Sequence, residues 1–220
     1  PKKALLIFSS IVYPTRSFRG RVHNLLYSKI FYGFFLNKYD FLIVSNSADV
    51  KLLNASFNIE AEKIKHIPYG LEPKDFPFKL TSQDAGTFKV LFVGRLEEQK
   101  GVDSLIEIIK EINKEKEQVC ISFTIIGDGP LKSQVEKLVN EFSNVGYLGA
   151  VPREKVKENY LSHDLLLVTS RWETFSYVTL EAQFCGLPVV SYDVSGPQDI
   201  ILPGETGMLT DSGDIKKLGD

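Results

Sequence analysis

The sequence predicts an α/β protein whose sheet is mostly parallel and covered by helices on both faces. Three observations predict it. From residue 88 onward, strand-like and helix-like segments alternate without a break. The strand-like segments are nearly continuous apolar runs, as a sheet buried on both faces requires. Glycines and charged residues gather just past the ends of these runs, where ligands of open α/β sheets bind.

The elements follow in order. An apolar strand spans about 3–9, and a helix with an aromatic bias spans about 21–37. DFLIVSN (40–46) reads as a buried strand, and Asn46 or Ser47 can cap the short helix after it. KIKHIPYGLEPKDFPF carries three prolines and a glycine, which suits an extended connection. The polar stretch after it marks a boundary, with a first domain over 1–78, a linker over 79–87 and a second domain over 88–220.

In the second domain FKVLFVGRL is a strand, followed by a helix with Val102, Leu105, Ile106, Ile109 and Ile112 on one face. ISFTIIGD is a strand, then a helix begins with Pro130 in its first turn. VGYLGAV, DLLLVTS and LPVVSYDV are further strands, separated by the helices PREKVKENYLSH and YVTLEAQFCG, the latter ending at Gly186. PQDII is a short helix and GMLT a last strand.

Composition bounds the function. The 220 residues carry 26 Lys plus Arg against 28 Asp plus Glu, a formal net charge of -2. That balance speaks against a chain-wide basic surface for nucleic acid. At 43% hydrophobic and 25% charged, the chain is not largely disordered. Two cysteines, Cys120 and Cys185, cannot build a disulfide framework and read as reduced core thiols of a cytoplasmic protein. PKKALLIFSSIV reads as a strand and not as a signal peptide, and DSGDIKKLGD as a helix cut short, so a piece of a longer protein is expected. The longest apolar stretch, residues 25–36, has 12 residues and includes Lys29 and Gly33. A membrane span needs about 20.

The chemistry should lie at the strand ends. Arg95 ends a strand and Lys100 precedes a helix, so both can face one mouth; two cations beside a helix N-terminus suit a diphosphate. Solvated loop charges beside Glu97 and Glu98 are the plainer alternative. Gly127-Asp128-Gly129-Pro130 fails as a dinucleotide fingerprint because Lys132 stands at its third position, and a tight turn explains it better. Glu173 follows a strand, and Glu181 lies about a turn into the next helix between apolar Leu180 and Ala182. A carboxylate there can accept the two hydroxyls of a ribose diol, while the amides of Ser176, Tyr177 and Val178 can hold phosphate oxygens. The competing explanation of Glu181 is a carboxylate complementing the helix dipole.

VGRLEEQKG at 93–101, IIGDGPL at 125–131, YLGAVP at 147–152 and the block TSRWETFSYVTLEAQFCGLPVVSYDVSGPQDIILPGETGML at 169–209 resemble the retaining glycosyltransferases of family four, which have the GT-B fold. Seven residues separate Glu173 from Glu181, as in that family's glutamate pair. The order and spacing of all four features agree, over about 39–215 and most strongly from 88. The resemblance implies a Rossmann-like donor domain over 88–220, and over 1–78 the C-terminal part of an acceptor-binding domain. It implies that Arg95 and Lys100 bind the donor diphosphate, that Glu181 binds the ribose and that Glu173 contacts hydroxyls of the transferred sugar. Backbone amides at Phe175, Ser176, Tyr177 and Val178 would hold sugar and phosphate. Gly127 would belong to the donor site, and Tyr147 and Leu148 would border the base. The SGPQD sequence is typical of members that often use UDP-sugars. The implied partners are a nucleotide-sugar donor and a glycan or lipid-linked acceptor. No metal or other cofactor is implied, since the cations take the metal's place and no Asp-x-Asp signature occurs.

Two departures stand out. The family's N-terminal Gly-rich loop and acceptor-side histidine have no counterpart near Ser9 and Ser10, and IPYGLE has Tyr69 and Glu72 where the family has Asn and Asp. Full activity is therefore not expected of this piece, and a noncatalytic nucleotide-sugar-binding module is the alternative; the failed glycine fingerprint counts against a dehydrogenase. His23, His66 and His163 stand alone, without metal-ligand spacing. Trp172 is expected to line the cleft. The aromatic helix at 25–36 is expected in a core or between domains, with docking on the inner face of a membrane as the alternative.

Overall fold

In the computed structural model, which describes residues 4–6, 36–57, 59–78, 86–114, 120–211 and 213–214, the chain divides between Gly70 and Leu71 into two units. The first holds a three-stranded parallel sheet of β1 (Ala4–Leu6), β2 (Phe41–Val44) and β3 (Ile64–His66), in that spatial order. Helix α1 (Ser47–Phe57) connects β2 to β3. Of the two candidate caps, Asn46 serves: its Oδ1 accepts from the Asp49 amide at 2.8 Å, and its Nδ2 donates to the Asp49 carboxylate at 2.8 Å. Leu42, Val44, Leu53, Phe57, Ile59 and Ile64 form the buried core of this unit. β3 lies within the stretch read as an extended connection; Ile64 pairs in register with Leu42, and the prolines begin only after the strand. The helix expected over 21–37 falls outside the described residues up to its last positions, where Leu36 is buried.

The second unit, Leu71–Asp220, is built on six parallel strands: β4 (Phe88–Val93), β5 (Ile121–Ile126), β6 (Val145–Gly149), β7 (Leu165–Val168), β8 (Val189–Tyr192) and β9 (Gly207–Thr210). Their spatial order is β6-β5-β4-β7-β8-β9. The chain thus runs outward to β6, returns to pair β7 with β4, and runs outward the other way. That is the doubly wound order, with its switch point between β4 and β7.

Alternation along the strands fills two cores. Val90, Phe92, Ile125 and Leu167 pack with helices α2 (Val102–Lys114) and α3 (Lys132–Glu141). Leu91, Ile126, Leu166 and Val168 point the other way, towards Tyr160 of α4 (Arg153–Ser162) and Ala182 of α5 (Tyr177–Phe184). A further helix, α6 (Pro197–Ile200), connects β8 to β9. On α2 the buried stripe is Val102, Leu105, Ile108 and Ile109; Ile106 and Ile112 flank it half-buried. Helix α3 opens at Lys132, which leaves Pro130 outside, because the Leu131 amide is taken by the Leu96 carbonyl at 2.8 Å.

Two expectations need correcting. Cys185 is buried, but Cys120 is exposed just ahead of β5, where its carbonyl receives the Phe88 amide. Residues 71–78 group with the second unit: Phe76 is 5% exposed and its ring centroid lies 6.1 Å from that of Phe184 in α5. Most of the expected linker, 79–85, falls outside the described residues.

Candidate functional site

The switch point brings the loop after β4 against the loop after β7. The first runs through Gly94, Arg95 and Leu96 into a 3₁₀ turn at Glu98–Lys100. Gly101 follows with φ 64°, and a Cβ there would lie 1.9 Å from the Thr169 carbonyl oxygen, so only glycine fits. The Thr169 hydroxyl donates to the Lys100 carbonyl at 2.8 Å, the Arg171 amide to the Gln99 carbonyl at 2.9 Å, and Gln99 Nε2 to the Trp172 carbonyl at 3.2 Å. Arg171 also reaches Glu98 at 2.7 Å and pairs with Asp103.

Lys100 Nζ meets Glu173 Oε1 at 2.5 Å. The same oxygen accepts from the Ser170 hydroxyl at 2.7 Å, while Ser195, beyond β8, donates to the Glu173 carbonyl at 2.6 Å. Glu173 is 8% exposed. A buried carboxylate held by an ammonium and a hydroxyl is satisfied as an anion.

Helix α5 opens on strain. Ser176, buried before its first turn, has φ 70°, the only positive φ of a non-glycine among the described residues. Its hydroxyl lies 2.8 Å from that of Thr179. Left-handed backbone in a residue with a Cβ costs about 1–2 kcal/mol and clusters at functional sites. Phe175 beneath it is buried, edge-on to the exposed Tyr177 ring at 5.3 Å, and Val178 is partly buried. The positive end of the α5 dipole therefore lies beside Glu173 in sequence and faces the carboxyl end of the sheet.

Glu181 sits a turn into α5. Its Oε1 accepts from Arg153 Nη2 at 2.7 Å and its Oε2 from the Tyr160 hydroxyl at 3.2 Å. Burial, reinforced by the Glu181 carboxylate, pushes the Tyr160 hydroxyl far above the ordinary phenol range, so it stays a donor. Burial likewise raises the Cys185 thiol, with Glu181 adding to it.

Other expected residues distribute as follows. Tyr147 donates to the Gly127 carbonyl at 2.9 Å, and Leu148 beside it is exposed. Burial raises the Tyr147 phenol. At Gly127, φ is 147° and a Cβ would stand 1.7 Å from the Gly94 carbonyl oxygen, so the loops after β4 and β5 touch backbone to backbone. Arg95 does not join Lys100 and Glu173: its side chain is 74% exposed and pairs with Glu97 at 2.9 Å. The structure thus joins Lys100 to Glu173 and Gly127 to Tyr147, and gives Glu181 partners of its own. Ser170 and Ser195 lie inside the block at 169–209 but had no role assigned, and Arg153 and Tyr160 fall outside the quoted motifs. Tyr160 alone had a signal, as the one aromatic on a mostly polar helix, beside Val156 and Leu161.

Among the described residues there is no group of three or more His, Cys, Asp or Glu side chains placed to hold a metal. Among them, too, no helix is long and apolar enough to cross a membrane.

Fold and site together define a doubly wound α/β domain with a cluster of paired charges at its switch point. The family described as "Glycosyl transferases group 1" matches residues 74–220, and the chain belongs to it. A curated relative, the 2-deoxystreptamine N-acetyl-D-glucosaminyltransferase of Niallia circulans, is 32% identical over 155 residues, covering 66% of this chain and 38% of the relative. The lipopolysaccharide outer core galactosyltransferase WaaB superposes with a TM-score of 0.71 at 26% identity, over 82% of this chain and 51% of its own. Anabaena Alr3699/HepE, solved with UDP and glucose, superposes with a TM-score of 0.70 at 21% identity, over 98% of this chain and 59% of its own. The chain therefore has the GT-B type α/β fold and spans about half the length of these proteins.

Proposed function

We propose that this chain carries the donor site of a retaining glycosyltransferase of family four. It would move a hexose or N-acetylhexosamine from a nucleoside diphosphate sugar, with UDP favoured, to a glycan or lipid-linked acceptor. The observation that carries this reading is the part-buried Lys100–Glu173 pair at the switch point where a doubly wound sheet binds its ligand. The UDP complex of HepE and the galactosyl- and glucosaminyltransferase relatives support the donor class.

In this reading Lys100 leaves Glu173 for the diphosphate, and Arg95 folds in from its exposed position. Both stabilise charge as the bond from the anomeric carbon to the β-phosphate oxygen breaks. The acceptor hydroxyl bonds to that carbon from the face the diphosphate leaves and gives its proton to the departing phosphate oxygen, so configuration is retained. Glu173, released from the ammonium, accepts hydroxyls of the sugar. The amides from Phe175 to Val178 and the α5 dipole hold sugar and phosphate. Glu181 accepts the ribose hydroxyls, and the strip of Gly127, Tyr147 and Leu148 borders the base. No metal or other cofactor enters, because lysine and arginine supply the positive charge. The reaction is expected in the cytoplasm, with docking of the aromatic stretch 25–36 on the inner face of a membrane as the alternative.

The test is to incubate the protein with UDP-glucose, UDP-galactose and UDP-N-acetylglucosamine, with glycan and lipid-linked acceptors. UDP release and the anomeric configuration of the product are followed by NMR. An α-linked product from an α-linked donor supports the reading. An inverted product, or release that requires a divalent cation, contradicts it.

A further inference from the structure

Helix α4 is mostly polar; Val156 and Leu161 are partly buried against the core, and Tyr160 is its one fully buried residue. The ring is wholly excluded from solvent. A phenol buried so deeply needs a partner for its hydroxyl, and it finds one in Oε2 of Glu181 at 3.2 Å. The second oxygen of that carboxylate has a partner of a different kind. Arg153, at the N-terminus of the same helix, donates to Oε1 at 2.7 Å from a side chain that is 55% exposed. The Glu181 side chain is itself 12% exposed. One oxygen is thus tied to a rigid aromatic in the core and the other to a long, solvated arginine at the surface.

These two ties differ in what a ligand can displace. A carboxylate contact made by a solvated arginine is weak and exchanges readily for other hydrogen bonds. A buried hydroxyl has no such exit, because leaving Glu181 would strand it unsatisfied. We propose that Tyr160 is a positioning residue for Glu181: it holds Oε2 from the core side, fixes the plane of the carboxylate, and leaves Oε1 to pass from Arg153 to the ribose hydroxyls of a bound nucleotide. The inference rests on the donor-site reading, in which Glu181 binds the ribose. It adds a residue with no ligand contact of its own, whose work is to keep one carboxylate oxygen aimed outward.

The test compares UDP with 2′-deoxy-UDP by calorimetric titration, in the wild-type chain and in Tyr160→Phe. In the wild type, 2′-deoxy-UDP binds about 10-fold more weakly or worse, the size of one hydrogen bond to a charged group. In Tyr160→Phe that ratio falls below about 3, while the affinity for 2′-deoxy-UDP shifts by less than about 3-fold. A merely structural role weakens both nucleotides together and leaves the ratio intact; that result overturns the inference. A wild-type ratio near one has a different meaning, since it removes Glu181 from the ribose and overturns the donor-site assignment along with the role of Tyr160. Should Tyr160→Phe melt below the assay temperature, 3-fluorotyrosine placed at 160 keeps the hydroxyl and reports through a single fluorine signal. UDP must then move that signal further than 2′-deoxy-UDP does, and equal shifts overturn the inference.

Discussion

Lys100 and Glu173 stand 73 residues apart in the chain and 2.5 Å apart in space. One follows β4 and the other follows β7, the two strands that become neighbours where the direction of winding reverses. The pair exists because the topology folds two otherwise separate loops onto one another. Around it, Thr169, Arg171 and Gln99 lock the two loops together.

Replacing Lys100 leaves Glu173 buried with the Ser170 hydroxyl as its remaining side-chain partner. Lys100→Met is expected to lower stability by about 1–3 kcal/mol, the cost of a buried charge stripped of its ion partner in a partly open site. Lys100→Met with Glu173→Gln is expected to recover most of that loss, because no charge is then stranded. Urea unfolding of the two single variants and the double variant measures the coupling.

Gly101→Ala is expected to be among the most damaging single changes outside the core. It places a side chain at φ 64° with its Cβ 1.9 Å from a carbonyl oxygen. Strain and displacement of that carbonyl together cost about 2–4 kcal/mol. Thermal unfolding gives the number, and nucleotide titration shows whether Lys100 has moved.

At Ser176 the two smallest substitutions are expected to differ. Ser176→Ala keeps the strain of φ 70° and loses the contact to Thr179, a cost of about 1–2 kcal/mol. Ser176→Gly loses the same contact but relaxes the backbone, and ends within about 1 kcal/mol of the parent. Chemical denaturation of both variants checks the order.

His163 gives stability a dependence on pH. Its Nδ1 donates to the Asn159 carbonyl at 2.8 Å and its Nε2 lies 2.8 Å from the Thr124 hydroxyl, from which the neutral ring can accept. Burial, the largest cause, holds its pKa below the usual 6.5. The unfolded chain then binds a proton before the folded chain does, so this contribution is complete above about pH 6.5 and is lost as pH falls towards the lower folded value. Melting temperatures between pH 7.5 and 5 are expected to fall more steeply in the wild type than in His163→Gln.

Much of this was legible in the sequence because it depends on local pattern. The apolar runs at 88–93, 121–126 and 165–168 are strands, and Asn46 caps its helix as its residue type suggests. Strand β3 was hidden because three residues among lysines and prolines show no period of their own, and only pairing with β2 makes them a strand. Cys120 looked apolar from its neighbours Val119 and Ile121, but it lies before the sheet begins. At the site, Glu173 and Lys100 were readable as charges at strand ends. Their contact was not, because it depends on which strands become neighbours. The hold of Tyr160 on Glu181 also depends on two helices packing on one face, which no motif records. Arg95 carries the opposite lesson: its place in the sequence suggests the cleft, while its side chain takes the nearest carboxylate, Glu97.

The most direct measurement is calorimetric titration of the chain with UDP, GDP and ADP, beside Lys100→Ala and Glu181→Ala. The account expects UDP to bind, GDP and ADP to bind more weakly, and each substitution to weaken UDP by about 10-fold or more while the protein stays folded. A folded chain that binds UDP equally well with and without Lys100 and Glu181 would contradict the placement of the donor site at this switch point.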